Sequence, residues 1–237
     1  QSAAIDGWVA AGHRGIFEHA TGSGKTITAL NCIELAVRDG RGVLVVVPSV
    51  QLLRQWENGV RAFFGGEVPL VLAGGGNDGW RRGSVLRDSL TDTRRPGVAI
   101  SVMATGASED FLKRCRDLER ILLVADEVHR IGSPTQQRIL EIPADWRLGL
   151  SATWEREGDP AGTRLIEEYF RGVVPPPYTL ADAIHDGHLC KYRYFVHEAC
   201  LDDDEQTEWD DLSKRIGQSI ARAGGELTEP VKRLAIK

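Results

Sequence analysis

The sequence predicts an α/β fold in which helices cover both faces of a parallel sheet. Strand-like and helix-like stretches alternate along most of the 237 residues, and this alternation is typical of parallel sheets with helical connections. The run GVLVVVP, residues 42–48, is continuously apolar, as expected of a strand buried on both faces. A third observation is a glycine-rich turn, HATGSGKT at residues 19–26, between a strand-like and a helix-like stretch.

Each element is predicted from the period of its apolar residues and from the residues that bound it. In chain order, the predicted strands are RGIFE before the glycine-rich turn and residues 42–48, 68–74, 97–103, 120–127 and 146–153. The predicted helices are TITALNCIELAVRDG after the turn and residues 50–64, 109–118, 134–141 and 160–170. A basic stretch, WRRGSVLRDSLTDTRRPG, is predicted to be a turn-rich surface segment.

The pattern changes after about residue 172. A proline run and a short helix come first, then KYRYFVHEACL (residues 191–201), which alternates like a strand, and then an acidic stretch that opens a polar helix. About 65 residues are too few for a second nucleotide-binding lobe. We therefore predict a lobe over residues 1–172 and an exit segment and linker over residues 173–237.

Composition excludes several classes of protein. The formal net charge is −5, which argues against a dedicated histone-like nucleic-acid binder but leaves room for a local basic face. The four cysteines include no C-x-x-C pair, so reduced thiols and a cytoplasmic location are expected. No apolar stretch approaches the length of a membrane span, and no membrane partner is expected. The chain begins with Gln rather than Met, which suggests a piece of a longer protein.

The glycine-rich turn has the parts of a phosphate-binding loop. Gly22 and Gly24 allow backbone N–H groups to turn inward, and the following helix points its N-terminus at an anion. Lys25 would neutralise the outer phosphates, and the Thr26 hydroxyl is a candidate Mg²⁺ ligand. The alternative is a glycine-rich strand-to-helix turn with an incidental Lys, which the full strand–loop–helix context disfavours. One departure needs explaining, because His19 stands where the general pattern has its leading Gly.

A second acidic motif follows a predicted buried strand. In ILLVADEVHR, Asp126 and Glu127 come directly after apolar residues, at the carboxyl end of the strand, which faces the ligand crevice in doubly wound sheets. Magnesium prefers hard oxygen ligands, so Asp126 is the candidate metal ligand, and Glu127 is placed to orient or deprotonate an attacking water. Taken alone, the pair could equally be a solvated acidic turn.

Four stretches in order carry a resemblance to a known superfamily. They are ATGSGKT, VVPSVQLLRQW, ADEVH and LGLSAT. Together they resemble motifs I, Ia, II and III of superfamily 2 helicases and translocases with a D-E-V-H box, from Gln1 to roughly Tyr194. In that superfamily the leading position of motif I is commonly not Gly. The stretch from the D-E-V-H box to LGLSAT is especially similar to the branch with type I and type III restriction motor subunits and the TFIIH-type DNA translocase.

The resemblance implies a fold, ligands and partners. The fold would be a RecA-like P-loop domain, the cofactors ATP and Mg²⁺, and the activity ATP-driven movement on DNA, with double-stranded DNA favoured and RNA possible. A second RecA-like lobe would follow in the same full-length chain. Gln1 occupies the place of the adenine-recognising glutamine. The implied nucleotide-binding residues are Gln1, Thr21, Gly22, Ser23, Gly24, Lys25 and Thr26.

The resemblance also assigns coupling and nucleic-acid roles. His129 would touch motif III, here Ser151 and Thr153, and so link the phosphate state to movement; ordinary strand-end capping is the alternative for the two hydroxyl residues. Trp154 stands where the motif usually has Pro. Motif Ia implies nucleic-acid backbone contacts by Pro48 and Ser49 at the start of the helix. Arg54 could add a charge contact, although an exposed helical Arg is often simply solvated.

Two rival functions stay open at this point. Motifs I to III do not report the sugar, so an RNA-directed helicase of the same superfamily fits as well. A non-catalytic nucleotide-binding scaffold is the second rival, and the intact Lys25, Asp126 and Glu127 argue against it. In this superfamily the arginine finger lies in the second lobe, so the 237-residue chain alone is expected to be nearly inactive.

Overall fold

The computed structural model describes residues 1–197 and 200–222. The chain forms two compact units, one spanning Gln1–Lys191 and one beginning at Tyr192. The first unit contains a six-stranded sheet. Its strands are β1 (Arg14–Glu18), β2 (Gly42–Val47), β3 (Leu70–Ala73), β4 (Val98–Val102), β5 (Ile121–Asp126) and β6 (Trp146–Ser151). The strand order is β1-β6-β5-β2-β4-β3, and every neighbouring pair is parallel.

Helices connect these strands. The first unit contains α1 (Ser2–Ala10), α2 (Lys25–Arg38), α3 (Val50–Phe64), α4 (Val85–Thr91), α5 (Met103–Gly106), α6 (Glu109–Cys115), α7 (Pro160–Phe170) and α8 (Leu180–His185). Three short 3-10 turns cover Gly79–Arg81, Val128–Arg130 and Gln137–Glu141. In the second unit, α9 (Asp203–Arg222) is the predicted polar helix.

The sheet is buried on both faces because its strands are apolar at successive positions. In β2, Val43, Val45 and Val47 belong to one core cluster, which also contains buried side chains of α1, α2 and α3. The intervening Leu44 and Val46 belong to the other core cluster, which also contains buried side chains of α4, α6 and α7. Alternate side chains of a strand point to opposite faces, so the continuous apolar run is what a three-layer arrangement requires. The predicted parallel sheet with helices on both faces is confirmed.

All six strand predictions are confirmed, with shifts of at most two residues at their ends. The predicted helix over 134–141 is instead a 3-10 turn over Gln137–Glu141. Pro134 and Pro143 bracket this stretch, and proline both limits helix extension and removes an N–H donor. What fits between them is a short, tight turn.

The predicted strand over residues 191–201 is wrong for the residues that are described there, 191–197, 200 and 201, which form no strand. Tyr192, Tyr194 and Val196 are spaced like one face of a strand, yet they are 63%, 83% and 75% exposed. An alternating pattern produces a strand only where a neighbouring strand takes up its N–H and C=O groups.

Sequence reasoning missed three helices. Helix α1 buries only Ala4 and Trp8, and α5 is a single turn. Helix α4 lies within the basic stretch predicted to be turn-rich, and it buries Leu86 and Leu90, four residues apart, against the sheet. Two buried residues on one face are too weak a periodic signal to predict a helix.

Residues beyond 172 stay in contact with β1. Ile16 donates its N–H to the Gly172 carbonyl (2.9 Å), and the Val174 N–H returns a bond to the Ile16 carbonyl (2.9 Å). Further on, the Tyr178 N–H donates to the Glu18 carbonyl (3.0 Å). The first compact unit accordingly continues to Lys191, past the predicted lobe end at about 172. No helix in the described part of the chain has the length and apolar character needed to cross a membrane.

Candidate nucleotide-binding site

The predicted site residues follow the carboxyl ends of four neighbouring strands, β1, β6, β5 and β2. The phosphate-type loop comes after β1, Pro48 and Ser49 come after β2, Asp126 ends β5 and Ser151 ends β6. Because all neighbouring strands are parallel, these ends lie at one edge of the sheet. That edge is where doubly wound sheets bind ligands.

The loop from His19 to Gly24 has the backbone shape that an anion cradle needs. Gly22 and Gly24 have φ of 80° and 87°, in the left-handed region that favours glycine. Gly24 caps α2 without any side-chain hydrogen bond, so the first N–H groups of the helix have no intrahelical acceptor. The Ser23 hydroxyl is buried and lacks a hydrogen-bond partner in the described structure. A bound phosphate would satisfy these donors.

Lys25 lies between the loop and the acidic motif. Its Nζ donates to the carbonyls of His19 (2.8 Å) and Ala20 (3.2 Å). Burial lowers the pKa of Lys25, and the negative charges of Glu127 and Asp126 oppose that shift. The ammonium group is therefore near enough to both carboxylates for their charges to act on it. The structure brings together the cation and the two acids that the sequence predicted to share a site.

Asp126 is held from two sides. Its carboxylate is buried, with the residue 8% exposed. One oxygen, Oδ2, accepts a hydrogen bond from the Trp56 indole Nε1 (2.8 Å), and Oδ1 accepts from the backbone N–H of Glu127 (3.1 Å). Sequence reasoning missed Trp56, because its place among the apolar residues of α3 predicts only a core side chain.

Glu127 has a left-handed backbone, with φ of 51°. This conformation costs a non-glycine residue about 1–2 kcal/mol and is found preferentially where the surrounding structure fixes a functional group. Directly after Glu127, the chain enters the 3-10 turn Val128–Arg130. The carboxylate is partly exposed, so a water molecule can reach it.

The predicted contact between His129 and motif III is present. His129 Nδ1 lies 3.2 Å from Ser151 Oγ, and Ser151 Oγ donates to the Thr153 carbonyl (2.7 Å). A hydroxyl has one hydrogen to donate, so Nδ1 carries the imidazole hydrogen and donates to Ser151. The same Nδ1 lies 3.5 Å from Glu127 Oε2. Burial lowers the pKa of His129, with Glu127 opposing that shift, so the ring is neutral at pH 7.

The turn after motif III takes its shape from side-chain contacts. Trp154, at the usual proline position, is partly buried and packs on the core. Arg156 donates through Nη1 to the His129 carbonyl (2.5 Å) and through Nε to Asp159 (2.8 Å). Having Trp154 instead of Pro therefore does not prevent the contact between His129 and Ser151.

Gln1 lies beside the loop. Its Nε2 is 2.5 Å from the position that a Cβ on Gly24 would occupy, so the end of the Gln1 side chain reaches the loop. Gln1, His19 and Ser23 line a cavity of about 430 Å³ whose other wall includes Tyr178 and His188. Residues after α7 were not predicted to contribute to the site.

The predicted nucleic-acid residues are arranged less uniformly. Ser49 caps α3, and its hydroxyl accepts from the Leu52 N–H (3.3 Å). Arg54 is exposed and pairs with Glu57 (3.0 Å), which also holds Arg61 (3.1 Å). Pro48 and Ser49 lie at the edge that carries the loop, whereas Arg54 is already paired within its own helix. Their contact with nucleic acid stays a prediction.

The residues fit the triphosphate and the metal that the sequence implies. The unpartnered Ser23 hydroxyl, the first N–H groups of α2, which no side chain caps, and Lys25 form one cluster of donors. The buried Asp126 carboxylate and the Thr26 hydroxyl supply hard oxygens of the kind that Mg²⁺ prefers.

Fold and site together define the class: a RecA-like lobe of the superfamily 2 helicase type. More particularly, the chain belongs to the family described as "Type III restriction enzyme, res subunit", whose model matches residues 1–156.

Curated relatives agree with this family. The chain is 29% identical over 167 residues to a "Putative DNA 3'-5' helicase Rad25" of Haloarcula marismortui, covering 68% of this chain and 22% of that protein. It is 30% identical over 174 residues to the protein of the same name in Halobacterium salinarum, covering 69% and 26%. The "Probable helicase D10" of Escherichia phage T5 is 28% identical over 171 residues, with 69% and 32% covered. The chain thus spans 22–32% of these relatives' lengths.

Solved structures share the fold. The Type ISP restriction-modification enzyme LlaGI, in complex with a DNA substrate mimic, matches 100% of this chain and 23% of its own, with a TM-score of 0.59 and 18% identity. The Sulfolobus solfataricus SWI2/SNF2 ATPase core in complex with dsDNA matches 71% of this chain and 33% of its own, with a TM-score of 0.52 and 16% identity.

Proposed function

We propose that this chain is the ATP-binding first lobe of an ATP-dependent DNA helicase or translocase. A single arrangement carries the proposal: Lys25, within the electrostatic reach of Asp126 and Glu127, shares one sheet edge with the contact between His129 and Ser151. Nucleotide binding alone would require only the loop and its Lys. An acid placed for water activation and a contact to motif III are what an enzyme that converts hydrolysis into movement needs in addition.

The roles follow from the geometry. The loop N–H groups and Lys25, which would exchange its carbonyl partners for phosphate oxygens, bind the β- and γ-phosphates of ATP. Glu127 orients a water for attack on the γ-phosphorus and takes its proton, as the bond to the β-phosphate oxygen breaks and ADP and phosphate form. Gln1 lies beside the loop, where it would meet the adenine base.

Magnesium would be held by Thr26 and Asp126. When bound, Mg²⁺ supplies charge neutralisation on the phosphate oxygens. Asp126 offers a carboxylate whose direction is already set by Trp56 and by the Glu127 N–H. Thr26 lies in the first turn of α2, directly after the Lys that binds phosphate.

His129 is the proposed coupling residue. Its Nδ1–H donates to Ser151 and lies 3.5 Å from the Glu127 carboxylate. A change in the charge or position of Glu127 during hydrolysis therefore acts on the bond between His129 and the end of β6. Thr153 takes part because its carbonyl accepts the Ser151 hydroxyl hydrogen.

DNA is the proposed track, and double-stranded DNA is favoured. Two relatives carry the printed name of DNA helicases, and two structures with the same fold contain a DNA substrate mimic or dsDNA. In this chain, Pro48 and Ser49 lie at the start of α3, where backbone N–H groups can meet a phosphate of the strand. We further propose that residues 173–237, which first stay with the lobe up to Lys191, lead from it toward a second RecA-like lobe in the full-length protein.

The test is ATP turnover by the full-length protein with duplex DNA, single-stranded DNA or RNA, compared with its Glu127→Gln variant. We expect duplex DNA to stimulate turnover most. Glu127→Gln should keep ATP binding and lose most turnover, because an amide cannot take a proton. Glu34→Gln, on the exposed side of α2 where Glu34 pairs with Arg38, is the matched control and should hydrolyse ATP normally.

The outcomes separate the rivals. Stronger stimulation by RNA than by duplex DNA would favour the RNA-directed helicase. Binding of ATP with no turnover under any condition would favour the scaffold. Normal hydrolysis by Glu127→Gln would show that the catalytic assignment is wrong.

A further inference from the structure

Trp56 is a buried indole with an unusual partner. It lies in α3, which follows β2, and is 1% exposed. Its Nε1–H donates to Asp126 Oδ2 at the end of β5, 70 residues further along the chain, at 2.8 Å. Strands β2 and β5 are neighbours in the sheet, so the helix after one strand reaches the carboxylate at the end of the other. Trp56 ends the stretch VVPSVQLLRQW that resembles motif Ia, and that resemblance assigns no role to it.

We propose that Trp56 is a positioning residue that turns the Asp126 carboxylate toward the magnesium of bound ATP. The inference rests on the proposed nucleotide site. The Glu127 N–H holds Oδ1 (3.1 Å) and Trp56 holds Oδ2, so each oxygen has one fixed donor and keeps its remaining lone pairs. With both oxygens fixed, the carboxylate cannot rotate away from the loop.

Burial makes this restraint strong. Asp126 is 8% exposed, and a hydrogen bond is stronger in a buried site than in water. Without the indole N–H, Oδ2 would lose its side-chain donor and the carboxylate would be free to rotate. Residues that hydrogen-bond a metal ligand typically change metal affinity by about 10–100-fold when they are mutated.

The variant Trp56→Phe removes the N–H and keeps an aromatic ring in the core. The dissociation constant of a fluorescent, non-hydrolysable ATP analogue is measured for the 237-residue chain in saturating Mg²⁺ and in EDTA. The ratio of the two constants is the gain in affinity that Mg²⁺ provides. We expect Trp56→Phe to reduce this gain about tenfold and to leave the constant in EDTA close to that of the wild type.

Trp8→Phe is the matched control. Trp8 is also fully buried, and its Nε1 donates to the Arg147 carbonyl (3.0 Å), away from the loop. The Trp8→Phe variant loses an equivalent hydrogen bond, and Mg²⁺ should raise its affinity for the ATP analogue as much as it does for the wild type. Asp126→Asn should lose the gain, and adding Trp56→Phe to it should change little more, because both act through one carboxylate.

A second replacement covers the case in which Trp56→Phe does not fold. The analogue 3-benzothienylalanine at position 56 keeps the bicyclic shape and has sulfur in place of the N–H, so it should show the same loss of Mg²⁺ gain. An unchanged gain, or an equal loss of affinity in EDTA and in Mg²⁺, would overturn the positioning role. If the wild type itself gains nothing from Mg²⁺, the nucleotide site is at fault and the proposed function fails first.

Discussion

His19 occupies a position where the general phosphate-loop pattern has glycine, and its surroundings show why a histidine is accepted there. The residue is 6% exposed, and its ring stacks on Phe17 with centroids 5.3 Å apart. Its carbonyl accepts from Lys25 and its N–H donates to the Ser151 carbonyl (3.0 Å). These backbone bonds need no particular side chain, so the pattern can vary at this position while the loop keeps its shape.

Lys25 carries the first prediction at the residue scale. Lys25→Ala removes a charge-assisted contact to phosphate worth about 1.5–3 kcal/mol. Titration of a fluorescent ATP analogue should therefore show at least a several-fold loss of affinity. Lys113→Ala is the control, because Lys113 is an exposed residue of α6 near Glu109. A dissociation constant unchanged by Lys25→Ala would rule out the phosphate-loop assignment.

The buried ring of His19 predicts a pH dependence of stability. Burial, assisted by the charge of Lys25, lowers its pKa from 6.5 to about 4. The unfolded chain then binds this proton at a higher pH than the folded chain, so the contribution to stability is complete above pH 6.5 and is lost as the pH falls toward 4. Linkage gives a loss of about 2 kcal/mol between pH 7 and pH 5.

His19→Phe keeps a ring on Phe17 and cannot titrate. Urea unfolding at pH 7 and pH 5 should show the variant losing about 2 kcal/mol less free energy of unfolding than the wild type. A difference between the two proteins that is the same at both pH values would contradict the buried, neutral state of this ring.

At the scale of elements, the role of the contact between β6 and the turn after β5 can be tested separately from ATP hydrolysis. Ser151→Ala with Thr153→Ala removes the hydroxyl that accepts from His129, while Lys25, Asp126 and Glu127 stay in place. The full-length double variant should keep much of its ATPase and move far less along DNA, as measured by displacement of a bound strand or block.

The control for this uncoupling is Ser133→Ala with Thr135→Ala. This pair has the same chemistry, with hydroxyl oxygens 3.4 Å apart in an exposed loop, and should change neither activity. If the motif III double variant loses hydrolysis and movement in the same proportion, the contact between His129 and Ser151 belongs to the chemistry rather than to coupling.

The elements also show how much of the fold can be predicted from the sequence. Continuous apolar runs such as Val43–Val47 predicted the buried strands, and the order of motifs predicted which residues share the sheet edge. Helix α1 and helix α4 were not predicted because each buries only two side chains on its core-facing side. The strand prediction for residues 191–197 was wrong because, in the described structure, these residues have no neighbouring strand to pair with.

Within the site, the local motifs predicted which residues take part better than they predicted what those residues contact. The loop, Asp126, Glu127 and the His129 contact follow from short patterns with fixed geometry. Trp56 ends the motif Ia stretch, but its place among apolar residues predicted only a core side chain, and Tyr178 reaches the site from beyond the last motif. Arg54 was predicted from charge alone, and its pairing with Glu57 depends on a neighbour three residues away.

At the scale of the whole molecule, the matched part of the chain covers only 22–32% of its curated relatives, and the proposed motor needs more than one lobe. Phosphoryl transfer of this kind uses an arginine finger worth about 10³–10⁵ in rate, and the superfamily carries that Arg in its second lobe. With one lobe, the phosphates stay open to water and no cleft closes on DNA.

The measurement that tests this account most directly compares ATP hydrolysis by residues 1–237 with hydrolysis by the same chain joined to its natural second lobe, each with and without duplex DNA. We expect weak Mg²⁺–ATP binding and very slow, DNA-independent hydrolysis by the single lobe. The two-lobe protein should hydrolyse ATP rapidly and respond to DNA. Robust DNA-dependent hydrolysis by monomeric residues 1–237 would contradict it, as would a two-lobe protein that binds ATP and never turns it over.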